Sequence, residues 1–467
     1  MVAVAGCASN ASAPLFRLTG DVFSLTQPPA AARLPAPAIA VAPEAPLADK
    51  LAALTAFVRA QAAAGHVPGV ALAVIVDGKL AFETGLGVRR AGAVDPVTAN
   101  TLFRVASTTK LVTAIALQTV VERGMLDLDR PAAEVVRALS RQAGDERSRI
   151  TLRQALTHTA GLPDDGSVAC ALPAGTRLHD YFGAHAGEPL LVPSGQVYDY
   201  SNTNYLLAGA AIEDATGARF DDYVRDAVLV PAGMTRATFD PGAAARGGDV
   251  AAGHDEAGRV LPTSDRDDCQ WMHPAGGLFA SAHDYGLLLE AMLDGGRGVV
   301  RPSTVAAIET SAIATQERAQ RDYGMGVFLH VRQGLRTVVH PGGLPGYSAM
   351  FAMVPERRFG IVMLANAHAE LPKWTASAVA LLLGIAPEPA PVDGPLATAD
   401  YVGRYADPAG LLGRFEVQPL ENGGLVMRLL GGQRGLIPSK LVGVFWRGHD
   451  GKVEYFVTRA GVARKLP

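Results

Sequence analysis

The stretch Thr101–Gly124 reads TLFRVASTTKLVTAIALQTVVERG and places Ser107 and Lys110 in the order Ser-x-x-Lys. No other serine in the 467 residues has a lysine three places on. Apolar residues at Leu111, Val112, Ile115, Leu117, Val120 and Val121 predict a helix with one buried face. Gly124 falls where such a helix would end in a left-handed cap. Ser107 therefore stands at the helix start, with Lys110 one turn later on the same side. A serine hydroxyl becomes a nucleophile when a neighbouring base takes its proton, and a buried lysine with a lowered pKa is one such base. The free N–H groups of the helix start favour developing negative charge. Taken alone, the four residues read more readily as a capping serine and an ordinary surface lysine. The rest of the chain has to supply partners.

Composition narrows the field. Hydrophobic residues make up 49% and charged residues 19%, as in a folded protein. The length suits two or three domains. A net charge of −3 gives no electrostatic case for nucleic acid or an acidic membrane surface. Lysine is scarce, seven against thirty-five arginines, so Lys110 inside an apolar pattern stands out. No apolar run reaches the about 18 residues of a transmembrane helix. Cys7, Cys170 and Cys269 are too few and too scattered for a disulfide framework or a zinc site. The eleven histidines lack metal-binding spacing, so no metal and no cofactor are expected.

Along the chain, residues 1–47 read as a leader and tether. Val4-Ala5-Gly6-Cys7 resembles a bacterial lipobox, although no positive n-region precedes it, and an Ala/Pro-rich stretch without periodicity follows. This favours a periplasmic or cell-envelope location with a membrane tether through Cys7. Residues 48–388 hold the main domain. Asp77-Gly78 between two β-rich runs predicts a tight hairpin. His158, beside threonines, reads as a hydrogen-bonded structural residue, and the loop-rich 164–195 as the border of a cleft. Trp271 and Met272 fit either a pocket lining or a core. A Pro-rich linker follows, and 397–467, with short β-like runs between glycine turns, predicts a small all-β domain.

Three elements recur in chain order: Ser107-Thr108-Thr109-Lys110, Tyr200-Ser201-Asn202 and His340-Pro341-Gly342. Together with LTHTAGLP, YSNTNYLLAG, PAGMT, GGLFASAHD, YGMG and HPGGLPGYS, they make residues 50 to 385 similar to the serine β-lactamase-like superfamily. Its members include class C β-lactamases, D-Ala-D-Ala carboxypeptidases, D-aminopeptidases and family VIII carboxylesterases. The resemblance implies an α/β (α+β) fold of the β-lactamase/transpeptidase type: an antiparallel sheet flanked by helices, and a helical subregion over about 130–290. It implies Ser107 as nucleophile, Lys110 as its base partner and Tyr200 as proton shuttle. It implies Asn202 bound to the lysine and the substrate amide. His340 and Gly342 would lie on a strand beside the nucleophile, with the N–H groups of Gly343 and Ser107 forming the oxyanion hole.

Two departures shape the expected substrate. The third motif begins with His340, which resembles the peptidase and esterase branches. Pro341 brings neither N–H nor side-chain donor to hold a free carboxylate. The resulting expectation is a serine hydrolase for a small-molecule ester, amide or peptide, working through an acyl-enzyme. The alternatives are a β-lactamase and a penicillin-binding or envelope protein that acylates without turnover.

Overall fold

The computed structural model describes residues 15–19, 22–25, 41–139, 145–164, 177–185, 188–261, 270–316, 321–332, 334–385, 398–407, 412–419, 425–430, 440–448, 450–458 and 461–467. Cys7, Cys170 and Cys269, and with them the lipobox reading, lie outside the described residues.

Eight antiparallel strands form the central sheet, in the spatial order Lys79–Gly87, Gly69–Val76, Phe359–Ala365, Tyr347–Val354, Leu335–Leu344, Phe328–Arg332, Asp322–Tyr323 and Ile313–Ala314. The hairpin at Asp77-Gly78 is present. Both residues have positive φ, 52° and 75°, the pair of values a type I′ turn needs to match the strand twist. Strands such as Phe359–Ala365 and Tyr347–Val354 are buried on both faces, which explains their unbroken apolar sequences. Helices Leu47–Ala64 and Leu371–Leu383 cover one face. Ala282–Leu293 packs on the strands Gly69–Val76 and Phe359–Ala365.

The helix opened by the serine motif spans Thr109–Glu122 and differs from its expected one-sided burial. Every residue from Thr109 to Val120 is buried. The helix is central: it packs against helices Asn202–Thr216 and His273–Gly276 of the helical subregion. A helix enclosed on all sides has no need for a polar face. Its end is as the sequence predicts, with Gly124 at φ 72° and its N–H donating to the Val121 carbonyl.

The all-β region departs from its expected boundaries. An eight-stranded closed barrel contains six strands between Gly403 and Lys465, and two from the stretch read as a tether, Leu15–Thr19 and Val22–Leu25. Leu15–Thr19 pairs with Lys440–Arg447, and Val22–Leu25 pairs with Leu425–Leu430. Without that hairpin the sheet would end in two open edges, and closure removes them. Inside sit Tyr405, Phe415, Val417, Leu425, Met427 and Phe456. The barrel docks on the end of the main sheet. The Gln316 side chain donates to the Arg447 carbonyl at 2.9 Å and accepts from its N–H at 2.7 Å, as a neighbouring strand would.

Candidate active site

Ser107 sits in a single 3-10 turn, Ala106–Thr108, that runs directly into the central helix. Ala106 has φ 51°, a left-handed conformation that alanine adopts only under constraint. The constraint is visible. Thr109 Oγ1 donates to the Ala106 carbonyl at 2.6 Å, Thr108 Oγ1 to Val105 at 2.9 Å, and the Tyr285 hydroxyl to the Thr108 carbonyl at 2.8 Å. These bonds leave Ser107 half-exposed on an otherwise buried turn.

Lys110 is fully buried. Its Nζ lies 3.3 Å from Ser107 Oγ, 2.8 Å from Asn202 Oδ1 and 2.9 Å from the Ala275 carbonyl oxygen. An ammonium has three hydrogens to donate, and here three oxygens receive them. That arrangement explains how a lysine is tolerated in the core. The ring of Tyr200 stands beside the same group, its centroid 4.8 Å from Nζ, and that of Tyr205 is at 5.4 Å. Ser107, Lys110, Tyr200 and Asn202, drawn from two separate stretches of chain, thus meet around one cation.

The third motif arrives on strand Leu335–Leu344, which lies against the Ser107 turn. Gly342 makes the close approach possible: a Cβ there would fall 2.4 Å from the Val105 carbonyl oxygen. His340 is buried and turned into an aromatic wall. Its Nδ1 is 2.7 Å from the Pro341 carbonyl and its Nε2 is 3.1 Å from the Tyr323 hydroxyl. A carbonyl only accepts, so Nδ1 carries the hydrogen. His340 is brought to the site as a wall behind Tyr200, at 6.2 Å between ring centroids, and presents no ring nitrogen to solvent. Gly343 is half-exposed. Among the described residues, strand Phe328–Arg332 pairs with this strand as far as Val339.

Several residues escaped the sequence reading. Asp164, one residue beyond the LTHTAGLP motif, accepts the Asn202 backbone N–H at 2.9 Å and lies 3.5 Å from its side-chain nitrogen. The Ala275 carbonyl could not have been found from side-chain chemistry at all. Asp199 is buried, and desolvation, with the Asp164 charge second, pushes its carboxyl up to about 8. Its presence between two tyrosines gave no sign of this. His158 is structural in the sense expected, fully buried and hydrogen-bonded. Trp271 is core, packed near Tyr181. Among the described residues, no cluster of three or more His, Cys, Asp or Glu is arranged to hold a metal ion.

A fold and a site of this kind define the serine β-lactamase and penicillin-binding-protein class of hydrolases. The Beta-lactamase family model matches residues 54–384, and the chain belongs to that family. Protein flp of Staphylococcus aureus (strain MW2) is 27% identical over 310 residues, which are 66% of this chain and 61% of that protein. Penicillin-binding protein 4 of Amycolatopsis lactamdurans is 32% identical over 181 residues, 39% of this chain and 47% of that protein. Among solved structures, SurE is similar with a TM-score of 0.69 and 26% identity, covering 90% of this chain and 99% of that one. SurE with D-Leu gives 0.66 and 25%, covering 90% and 100%.

Proposed function

We propose that the protein is a serine hydrolase that cleaves an ester or amide bond through an acyl-enzyme on Ser107. The observation that carries this reading is the buried Lys110 ammonium shared by Ser107, Asn202 and the Ala275 carbonyl. A cation held there lowers the cost of a phenolate on Tyr200, whose ring it adjoins. In the proposed cycle Ser107 Oγ attacks the substrate carbonyl carbon and its proton passes to Tyr200, with Lys110 holding the oxygen in place. The tetrahedral oxyanion is received by the N–H groups of Ser107 and Gly343, and the leaving alcohol or amine takes the proton from Tyr200. Water then repeats the sequence, releasing the acid and restoring Ser107.

The strand beyond Val339, where its pairing with Phe328–Arg332 stops, would receive the substrate backbone as an added strand. A groove along that strand is lined by Pro341, Leu344, Tyr347, Ala369, Leu371 and Pro372, with Tyr347 and His368 as its titratable side chains. Pro341 on this strand offers neither an N–H nor a side-chain donor, which supports substrates that lack a free carboxylate at that end. The likeness to SurE, solved with D-Leu, supports an apolar D-amino-acid residue in the acyl or leaving group. The protein would therefore act as an esterase or D-peptidase. We place it in the cell envelope, on the Val4-Ala5-Gly6-Cys7 sequence; loss of radiolabelled palmitate from a Cys7→Ala variant tests that placement.

Peptide mapping after treatment with a fluorophosphonate and with a fluorescent penicillin tests the nucleophile. Mass added to Ser107, with turnover of a p-nitrophenyl ester or a D-amino-acid ester and little hydrolysis of nitrocefin, supports the reading. Efficient nitrocefin hydrolysis would make the protein a β-lactamase, and a stable penicillin adduct without product would make it an acylating binding protein.

A further inference from the structure

The Tyr200–Asn202 segment is laid residue by residue along the stretch that precedes it. The His158 carbonyl accepts the Asp199 N–H at 2.8 Å, the Pro163 carbonyl accepts the Ser201 hydroxyl at 3.1 Å, and Asp164 accepts the Asn202 N–H at 2.9 Å. At the centre, His158 Nδ1 faces the Ser201 N–H and the Asn204 side-chain nitrogen, each at 3.2 Å. The same imidazole lies under the Tyr200 ring, with centroids 4.2 Å apart and planes 30° apart. Tyr205 and Tyr323 pack on it at 5.2 and 4.9 Å. His158 also carries a left-handed φ of 56°.

We infer that His158 is a positioning residue for the reaction: its neutral imidazole, in the Nε2–H tautomer, fixes Tyr200 and Asn202 against Lys110. The tautomer follows from the partners. A backbone N–H can only donate, so the Nδ1 it points at holds a lone pair. The Ser201 amide lies between the two functional side chains, so anchoring it sets the backbone from which both project. The ring packed against it then sets the orientation of the Tyr200 phenol. Each contact alone would be ordinary packing. One side chain that supplies both the acceptor and the plate, held in a disfavoured backbone conformation to do so, is more than packing requires.

The inference rests on the hydrolase reading, and the test separates the two. His158→Phe keeps a ring under Tyr200 and removes the acceptor. His158→Asn tolerates the left-handed backbone and returns an acceptor oxygen near the Nδ1 position. With a p-nitrophenyl ester, His158→Phe is expected to lose about 100-fold in kcat with KM within a few-fold, the cost of a misplaced catalytic group. His158→Asn should recover at least about tenfold of that loss, because it restores the hydrogen bond. Histidine 15N NMR of the wild type, with the His158 signal assigned by its absence from His158→Asn, should show the neutral Nε2–H form. The inference is overturned by His158→Phe with wild-type kcat, by His158→Asn no better than His158→Phe, or by an Nδ1–H or doubly protonated ring. If His158→Phe does not fold, the ring tautomer and the kcat of His158→Asn still decide. A wild type that neither turns over ester nor is labelled at Ser107 overturns the hydrolase reading and this inference together.

Discussion

Asp164 turns the Asn202 side chain so that its oxygen faces Lys110. The carboxylate takes the Asn202 backbone N–H at 2.9 Å and stands 3.5 Å from Nδ2, which leaves Oδ1 pointing at Nζ, 2.8 Å away. Asp164→Ala should therefore let the amide rotate. We expect kcat for a p-nitrophenyl ester to fall about tenfold, in keeping with the loss of one orienting hydrogen bond to a charged group. Slower fluorophosphonate labelling of Ser107 in the same variant would place the loss in acylation. Unchanged kcat would remove Asp164 from the site.

Lys110→Met should separate function from stability. A buried cation costs desolvation, and an apolar side chain of similar length fills the same space. Turnover is expected to fall by at least about three orders of magnitude, as when a member of a catalytic unit is lost. The melting temperature should hold near that of the wild type or rise, offset by the acceptors left at Asn202 and Ala275. A large fall in melting temperature with activity retained would make Lys110 a structural cation.

Gly342→Ala probes how closely the strand must approach the nucleophile. The new Cβ would sit 2.4 Å from the Val105 carbonyl and 3.1 Å from the Ala349 Cβ, so the strand or the Ser107 turn must move. A shift of that kind costs about 100-fold in kcat and roughly 1–3 kcal/mol of stability. Steady-state kinetics and denaturant unfolding measure the two. Gly247→Ala, at φ −67° with no atom nearer than 3.3 Å to the new Cβ, is the control for replacing a glycine without a clash.

Asp199 gives the stability a pH dependence. Its carboxyl is raised to about 8, first by burial and then by Asp164, from the ordinary value of 3.8. Between those values the folded protein keeps a proton that the unfolded chain has released, so stability falls as pH rises through this window. Glu309, raised to about 7 chiefly by burial, adds a loss of the same sign. Asp199→Asn should flatten the fall in melting temperature between pH 5 and 8 without abolishing it. A variant whose melting curve tracks the wild type across this range would show that Asp199 is ionised in the fold.

The N-terminal hairpin closes the barrel. Deleting residues 1–25 takes away two of its eight strands and exposes the edges of Leu425–Leu430 and Lys440–Arg447. Limited proteolysis is expected to cut the truncated chain within 398–467 while sparing 48–385, and the truncated protein should self-associate on gel filtration. Equal resistance of the two chains would mean that the hairpin is dispensable.

The Ser107 helix, its Gly124 cap, the Asp77-Gly78 hairpin and the three motifs of the proposed site could all be read from the sequence, because each is written in local chemistry. A period of apolar residues, a turn that demands positive φ and a serine one helical turn from a lysine need no distant partner to be recognised. The placement of the Ser107 group, the full burial of Thr109–Val120 and the role of the Ala275 carbonyl were decided elsewhere. They depend on which elements cover a helix, and partners as distant as Met325, 207 positions from Gln118, determine that. A backbone oxygen carries no sequence signature, so its bond to Lys110 exists only in the folded chain. His340 and the Leu15–Leu25 hairpin make the same point in opposite directions. The histidine that the resemblance set on a strand beside the nucleophile is buried in an aromatic wall, and the stretch that looked like a tether completes a barrel. Local composition sets what a residue can do. Burial, and the strand edge that happens to lie alongside, set what it does.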